Sequence, residues 1–366
     1  MSSNKSKKGL GTNAKWGIAL VVEILILVIM GVVYAKVWVD QKFEKIQVVK
    51  VNEEEVNESI NEGANEAQKG YTTIALFGID ARDSYSMAEG NRSDSIMIAS
   101  INNETKDVKI VSLFRDTLLY VPGNDVTTKV THAYAYGGPE LAMMTLNANL
   151  DLEITQFVTV NFKALSMAID GLGGIELDID DDEIPMLNAC ISEQINVTGI
   201  YSDGIFSAGH YDVNGTQATA YARIRSTDQG DITRTERQRE VVSKMISKAK
   251  KADIATLDAV VDDVFENVAT NITKDEMYDI IKGLMKYNLK DTAGFPFGMT
   301  LADSAEKGSI IVPGTLETNV SALHLYLFGT ENYSPSQKVK DLSGMIQGET
   351  GVGPLEITVN SFTVQE

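Results

Sequence analysis

Tyr71-Thr72-Thr73-Ile74-Ala75-Leu76-Phe77-Gly78-Ile79-Asp80 is the stretch that decides the fold. It is mostly apolar and ends at an aspartate, so it reads as a strand buried on both faces of a sheet. A polar loop follows, and Asn91-Arg92-Ser93-Asp94 introduces a second strand, Ser95 to Ile101. Asn102-Asn103-Glu104-Thr105-Lys106 is a turn, and Val108 to Phe114 is a third strand ending in Arg115-Asp116. The second and third strands therefore form an antiparallel hairpin. That pairing sets the start of one beside the end of the other, so Asp94, Arg115 and Asp116 are expected at one edge of the sheet. If the first strand runs in the same sense as the third, Asp80 joins them.

Working outward, Pro139 opens a helix through about Asn149, where the missing N–H of a first-turn proline costs nothing. Thr155 to Phe162 is another strand. A short helix ends at Gly171 to Gly174, and a strand follows at Ile175 to Ile179. Asn214 with Gln217 caps a helix carrying Tyr221, and further helices are expected at about 254–268 and 274–288. Residues 291–366 give weak strand signals and one helix around Ser321 to Phe328. Strands and helices mixed in this way predict an α/β fold, a mixed central sheet with helices on both faces in a three-layer sandwich.

Tyr221 to Met245 holds five arginines, Arg223, Arg225, Arg234, Arg237 and Arg239. A guanidinium offers a rigid fork of donors that fits phosphate and stays charged at any working pH. Thr233 followed by Glu236 reads as a capping box, which starts a helix at Arg234. At roughly 100° per residue, Arg234, Gln238, Val241 and Met245 share one stripe with Arg237 on its flank. That stripe turns apolar after one turn, so it faces the protein, and Arg239 falls on the far, surface side. Inward arginines beside the free N–H groups of a helix start make a phosphate pocket. A solvated charged face is the competing reading.

Asp80 and Asp94 suit a hard divalent cation, which takes one or two carboxylates plus phosphate oxygens. Turn capping is the plainer role for both. Asp180-Asp181-Asp182-Glu183 lacks the ligand spacing of a calcium loop and reads as a solvated turn.

The 366 residues carry 51 acidic against 32 basic side chains, a net charge of −19, which argues against nucleic-acid binding. Cys190 is alone, so no internal disulfide forms, and His132, His210 and His324 are scattered. Residues 1–15 are polar and lysine-bearing. Trp16 to Val39 is apolar but for Glu23 and Lys36, long enough for a membrane helix with interfacial Trp16, Tyr34 and Trp38. A cleaved signal peptide is the competitor, but the run is long for one and no small-x-small site follows. The lysines place the N-terminus in the cytoplasm and everything after residue 40 outside it. Residues 40–70, rich in Asn and Glu, read as an acidic stem.

With these pieces assembled, the chain resembles the LytR-CpsA-Psr family. The matching residues are Gly78-Ile79-Asp80, Arg92-Ser93-Asp94-Ser95-Ile96-Met97, Arg115-Asp116-Thr117, Lys129, His132-Ala133-Tyr134-Ala135-Tyr136-Gly137-Gly138 and Asp170 to Gly174. Asn214-Gly215, Tyr221-Ala222-Arg223-Ile224-Arg225, Gly230-Asp231, Arg234 and Arg237-Gln238 close the pattern. Phe114 stands where the family usually has proline, and Thr131 where asparagine is common. The motifs lie within about 71–250. A catalytic domain is accordingly placed at 71–290, with 291–366 as a C-terminal extension of open role.

The resemblance implies a membrane-anchored, extracytoplasmic phosphotransferase of Gram-positive-type envelopes. Such enzymes move a glycan from a polyprenyl-diphosphate carrier onto a peptidoglycan hydroxyl. By position, Asp80 and Asp94 would hold Mg2+ or Mn2+. Arg115, Arg223, Arg225, Arg234 and Gln238 would grip the diphosphate, with Arg92, Lys129 and Arg237 nearby. Asp116 or Asp231 would serve as base. Two alternatives are a diphosphatase acting on the same lipid and a non-catalytic lipid-binding or regulatory module.

Overall fold

The computed structural model describes residues 44–80, 90–225, 230–283, 286–359 and 361–363. The apolar segment at 16–39, read as a membrane anchor, lies outside the described residues. Among those described, no helix is long and apolar enough to cross a membrane. Ile46 to Glu366 forms one compact unit.

In chain order, β1 (Gln47–Val48) precedes the short α1 (Glu53–Glu58) and α2 (Ala64–Ala67). The hairpin region is β2 (Tyr71–Ile79), β3 (Ser93–Asn102) and β4 (Asp107–Leu113), followed by the small ribbon β5 (Leu118–Val121) and β6 (Val126–Lys129). Then come α3 (Thr131–Leu150), β7 (Gln156–Asn161), α4 (Phe162–Gly171), β8 (Ile175–Ile179), α5 (Ile184–Thr198), β9 (Gly209–Val213) and α6 (Gly215–Tyr221). The long α7 (Asp231–Lys251) leads to α8 (Ile254–Val264), β10 (Val268–Thr270), α9 (Lys274–Gly283) and β11 (Asn288–Phe295). A hairpin of β12 (Met299–Ser304) and β13 (Gly308–Pro313), then α10 (Leu316–Phe328), α11 (Gln337–Thr350) and β14 (Ser361–Thr363), complete the chain.

The main sheet runs β1-β10-β7-β2-β3-β4-β11-β14. β2–β3 and β3–β4 are antiparallel, whereas β2–β7 and β4–β11 are parallel, so the sheet is mixed as expected. Strict alternation divides its side chains. Phe77, Ile96, Ile98, Val111, Leu113 and Phe157 face α3, α10 and α11 in the larger core. Met97, Ala99 and Ile110 face the opposite way and meet Val242 and Ile246 of α7. The largest buried side chains on the first face anchor the sheet, each such burial contributing about 1.5–3 kcal/mol.

Two boundaries differ from the sequence reading. Residues 46–70 are part of the unit and not a solvated stem: β1 pairs with β10, and Ile46 and Val56 are buried. Asn61 donates to the Ala148 carbonyl and to Asp151, tying this segment to α3. Composition misled because the acidic residues occupy the outer faces of α1 and α2 while single apolar residues dock inward. Likewise 291–366 is no separate extension. β11 lies inside the main sheet, and Leu316, Val320, Leu323, Val339 and Leu342 fill the larger core.

Pro139 does open a helical segment, and Gly137 and Gly138 interrupt α3 immediately before it. Gly138, at φ 62°, takes a backbone conformation that glycine adopts without a Cβ clash. The capping box of Asn214 and Gln217 is present.

Candidate active site

The site forms where β2 and β4 end and β3 begins. Gly78 pairs with Ser95 and Ile79 with Ser93, so Asp94 is the extra residue of a β-bulge. A bulge re-aims the side chain it carries, here off the pleat and toward the strand ends. Asp80 follows Ile79 directly and is exposed at the same end. Past β4, Thr131 donates its N–H to the Arg115 carbonyl (3.1 Å) and its hydroxyl to the Ser93 carbonyl (2.9 Å). The start of α3 thus clamps the segment that carries Arg115.

Three cationic side chains converge on Asp94. Arg115 Nη1 donates to Oδ1 at 2.6 Å, and Arg225 Nη2 lies 3.5 Å from Oδ2. Arg234 Nη2 donates to the Asp94 carbonyl at 3.2 Å. Asp231, at the start of α7, lies 2.5 Å from Arg234 Nη2 and 3.4 Å from Arg115 Nε. Asp116 joins through Lys129 Nζ at 3.1 Å and Arg115 Nε at 3.8 Å.

Burial by itself would raise the Asp94 carboxyl, but Arg115, Arg234 and Arg225 outweigh it and hold it below the ordinary carboxylate range. Asp231 goes the other way. Burial raises it, Asp116 adds to that, and the neighbouring guanidiniums do not fully compensate. Burial pulls Arg234 down to about 10, so it remains charged at neutral pH.

Not every donor in this knot is used. Arg115 Nε and Arg234 Nε and Nη1 are buried without an aligned hydrogen bond, as are both oxygens of Asp231. Arg234 is 2% exposed. Buried charges left short of partners are costly unless something else binds them. Unspent guanidinium edges of this kind suit an anion with several oxygens.

Beside the knot lies an apolar cavity of about 280 Å³. Leu76, Met97, Val158 and Val160 form its sheet wall, Phe162 and Leu165 come from α4, and Gln238, Val242 and Ile246 from α7. A Cβ at Gly78, on the cavity wall, would stand 3.0 Å from Ser95 Cβ. A charged knot and an apolar slot side by side match a molecule with an anionic head and a hydrocarbon tail.

The LytR_cpsA_psr family model matches residues 33–299. The chain belongs to the LytR-CpsA-Psr family. It is 30% identical over 268 residues to the polyisoprenyl-teichoic acid–peptidoglycan teichoic acid transferase TagU of Enterococcus faecalis, covering 71% of this chain and 79% of that one. A crystal structure from Enterococcus faecalis, described as a transcriptional regulator, is 28% identical with a TM-score of 0.58, over 79% of this chain and 98% of that chain. The crystal structure of TagV from B. subtilis is 25% identical with a TM-score of 0.54, over 73% and 99%.

In this LytR-CpsA-Psr chain several expected site residues stand elsewhere. Arg237 is not free for a substrate: its Nε and Nη2 hold Glu183 at 2.8 and 2.7 Å, and its guanidinium lies over the Tyr221 ring. Glu183 is accordingly buried and not part of a solvated turn. Arg223 reaches away from Asp94, to Glu193 (3.1 Å) and Gln194 (3.2 Å), and stacks on Phe162 at the cavity. Arg239, expected at the surface, is 6% exposed, because α7 is sandwiched between α6 and β8 on one side and β11 and β4 on another. The proposed capping box is absent. α7 begins at Asp231 after Gly230, so Thr233 and Glu236 fall inside it. Starting three residues earlier is what brings Asp231 into the knot.

Sequence reasoning missed the cavity lining. Val241, Val242, Met245 and Ile246 carry its signal as adjacent apolar pairs on α7, but the opposing wall comes from alternate residues of three strands.

Proposed function

We propose that this chain moves a glycopolymer, with its phosphate, from a polyprenyl-diphosphate carrier to a peptidoglycan hydroxyl outside the cytoplasm. The observation that carries this reading is the pairing of a buried guanidinium cluster, with nitrogens of Arg115 and Arg234 short of an aligned hydrogen bond, with an apolar cavity whose lining includes Ser95, the residue after Asp94. The name of the Enterococcus faecalis relative supports it, as does the membrane anchor read at 16–39.

In this scheme the acceptor oxygen attacks the glycan-side phosphorus. The bond from that phosphorus to the bridging oxygen breaks, and polyprenyl monophosphate leaves with the electron pair. Phosphoryl transfer needs positioning and charge stabilisation more than a strong nucleophile. Arg115, Arg225 and Arg234 supply both, with Lys129 and Arg92 at the rim. Asp231 takes the acceptor proton. Burial, reinforced by Asp116, raises its proton affinity despite its pairing with Arg234 and Arg115. In this scheme Arg223, over the Phe162 ring, and Gln238, in the cavity lining, serve the lipid side of the donor.

Asp80 and Asp94 fit a Mg2+ or Mn2+ ion. Asp94 is ionised, and each of its oxygens faces one guanidinium, which leaves lone pairs for a metal. Among the described residues no cluster of three or more His, Cys, Asp or Glu side chains could hold a metal. Two carboxylates completed by phosphate oxygens would be a donor set that magnesium accepts. When bound, the ion would neutralise charge developing on the diphosphate.

The test is to incubate the purified full chain with a polyprenyl-diphosphate-linked glycan, Mg2+ and peptidoglycan. Transfer predicts a phosphodiester-linked product and one polyprenyl monophosphate per linkage. Equal release without acceptor would indicate a diphosphatase. No turnover, with Arg115→Ala and Asp80→Ala indistinguishable from wild type, would indicate a binding module.

A further inference from the structure

We propose that His132 and Tyr136, on the first turns of α3, form the subsite that receives the acceptor sugar; this rests on the transferase reading above. The first ground is the geometry of displacement. Attacking and leaving oxygens stand roughly in line on opposite sides of the phosphorus. The apolar cavity, which takes the departing lipid phosphate, is walled by Leu76, Met97 and Val158, on one face of the sheet. α3 lies on the other face: Tyr134 packs edge-on against Phe77 at 5.2 Å and shares a hydroxyl contact with Thr159. The charged knot sits at the strand ends between these layers. An acceptor entering in line therefore arrives over the start of α3.

The second ground is what that turn displays. Tyr136 is 50% exposed, so its ring is open to a ligand. Its ring lies 5.8 Å from that of His132, tilted by 38°. The backbone leaves the helix at Gly137 and Gly138, so Tyr136 ends a short, separately held turn. His132 Nδ1 is engaged by the Thr128 hydroxyl at 2.8 Å, which fixes the ring and leaves Nε2 for another partner. Arg92, Lys129 and Arg115 face this imidazole, with Asp116 opposing them, and burial together with those cations keeps it neutral. A half-exposed aromatic ring beside an imidazole that Arg92, Lys129 and Arg115 face suits a pyranose. Its C–H face covers the ring while its hydroxyls find donors and acceptors at the rim.

The test uses the full chain and soluble peptidoglycan glycan fragments over a concentration series, with polyprenyl-diphosphate affinity measured in parallel. Tyr136→Ala should raise the acceptor KM about tenfold, on the order of 1.4 kcal/mol. Tyr136→Phe, which keeps the ring, should stay near wild type, and His132→Ala should weaken acceptor use in the same sense. Donor affinity should not change. A wild-type KM in Tyr136→Ala, or a parallel loss of donor affinity, overturns the subsite. Direct titration of the fragment reads the subsite without turnover: saturable binding lost in Tyr136→Ala supports it, and unchanged binding overturns it. Absence of any transfer by wild type would instead count against the transferase reading.

Discussion

Arg115 Nη1 lies 2.6 Å from Asp94 Oδ1, joining residues 21 positions apart in the chain. The contact exists because β3 and β4 run antiparallel and because a bulge turns Asp94 toward the strand ends. With Arg225 and Arg234 also directed at it, Asp94 organises the cationic side of the site.

Asp94→Asn should therefore loosen the site and cost stability with a defined pH signature. The carboxyl is depressed in the folded state from its ordinary 3.8, so it contributes stability above that value. The contribution is lost as pH falls through the lower, folded value. At pH 7 the variant should be about 1–3 kcal/mol less stable than wild type, the usual cost of orphaning a buried partner. Urea melts at successively lower pH should show the gap closing below 3.8. A gap independent of pH would mean that Asp94 acts by shape and not by charge.

Arg234→Met should lower the single-turnover transfer rate on the order of 10²–10³, the range seen when one charge-stabilising donor is removed. Arg234→Lys should recover only part of it, since an ammonium cannot present two parallel donors. Circular dichroism would check folding, because Asp231 loses its nearest partner. A rate within twofold of wild type would remove Arg234 from the phosphate site.

Val242→Trp should narrow the cavity between α7 and the sheet. Long-chain polyprenyl diphosphate should bind roughly tenfold more weakly, while inorganic diphosphate competes as before. Competition assays with both ligands separate tail from head. Equal weakening of both would place the tail elsewhere.

Arg237→Met should act through folding. It leaves Glu183 charged and buried, a defect typically worth about 3–5 kcal/mol. Adding Glu183→Leu should restore most of that loss, because the pair is removed together. Denaturant melts of the single and double variants would measure it. A stable single variant that binds diphosphate poorly would return Arg237 to the substrate.

Strand order along the hairpin, the two-faced sheet and the convergence of Asp94, Arg115 and Asp116, with Asp80 at the same end of the sheet, follow from local pattern. An apolar run needs no partner to be recognised as a strand, and a five-residue turn fixes which ends meet. Arg223, Arg237 and Arg239 were harder to place. Their backbone positions follow from the sequence, but the direction in which a long guanidinium side chain settles depends on which carboxylate or ring is near. Glu183, Glu193 and Phe162 are remote in sequence, so nothing local announces them.

The amino-acid sequence by itself determined the family, the mixed α/β class and the arginine-rich segment that supplies the cations. Tertiary structure alone decided which cations remain unspent, that 46–70 and 291–366 complete one unit, and that an apolar cavity adjoins the charged knot. The physical reason is range. Periodicity and turn chemistry act over a few residues, whereas charge pairing and cavity walls are set by side chains that meet only once distant strands and helices have packed.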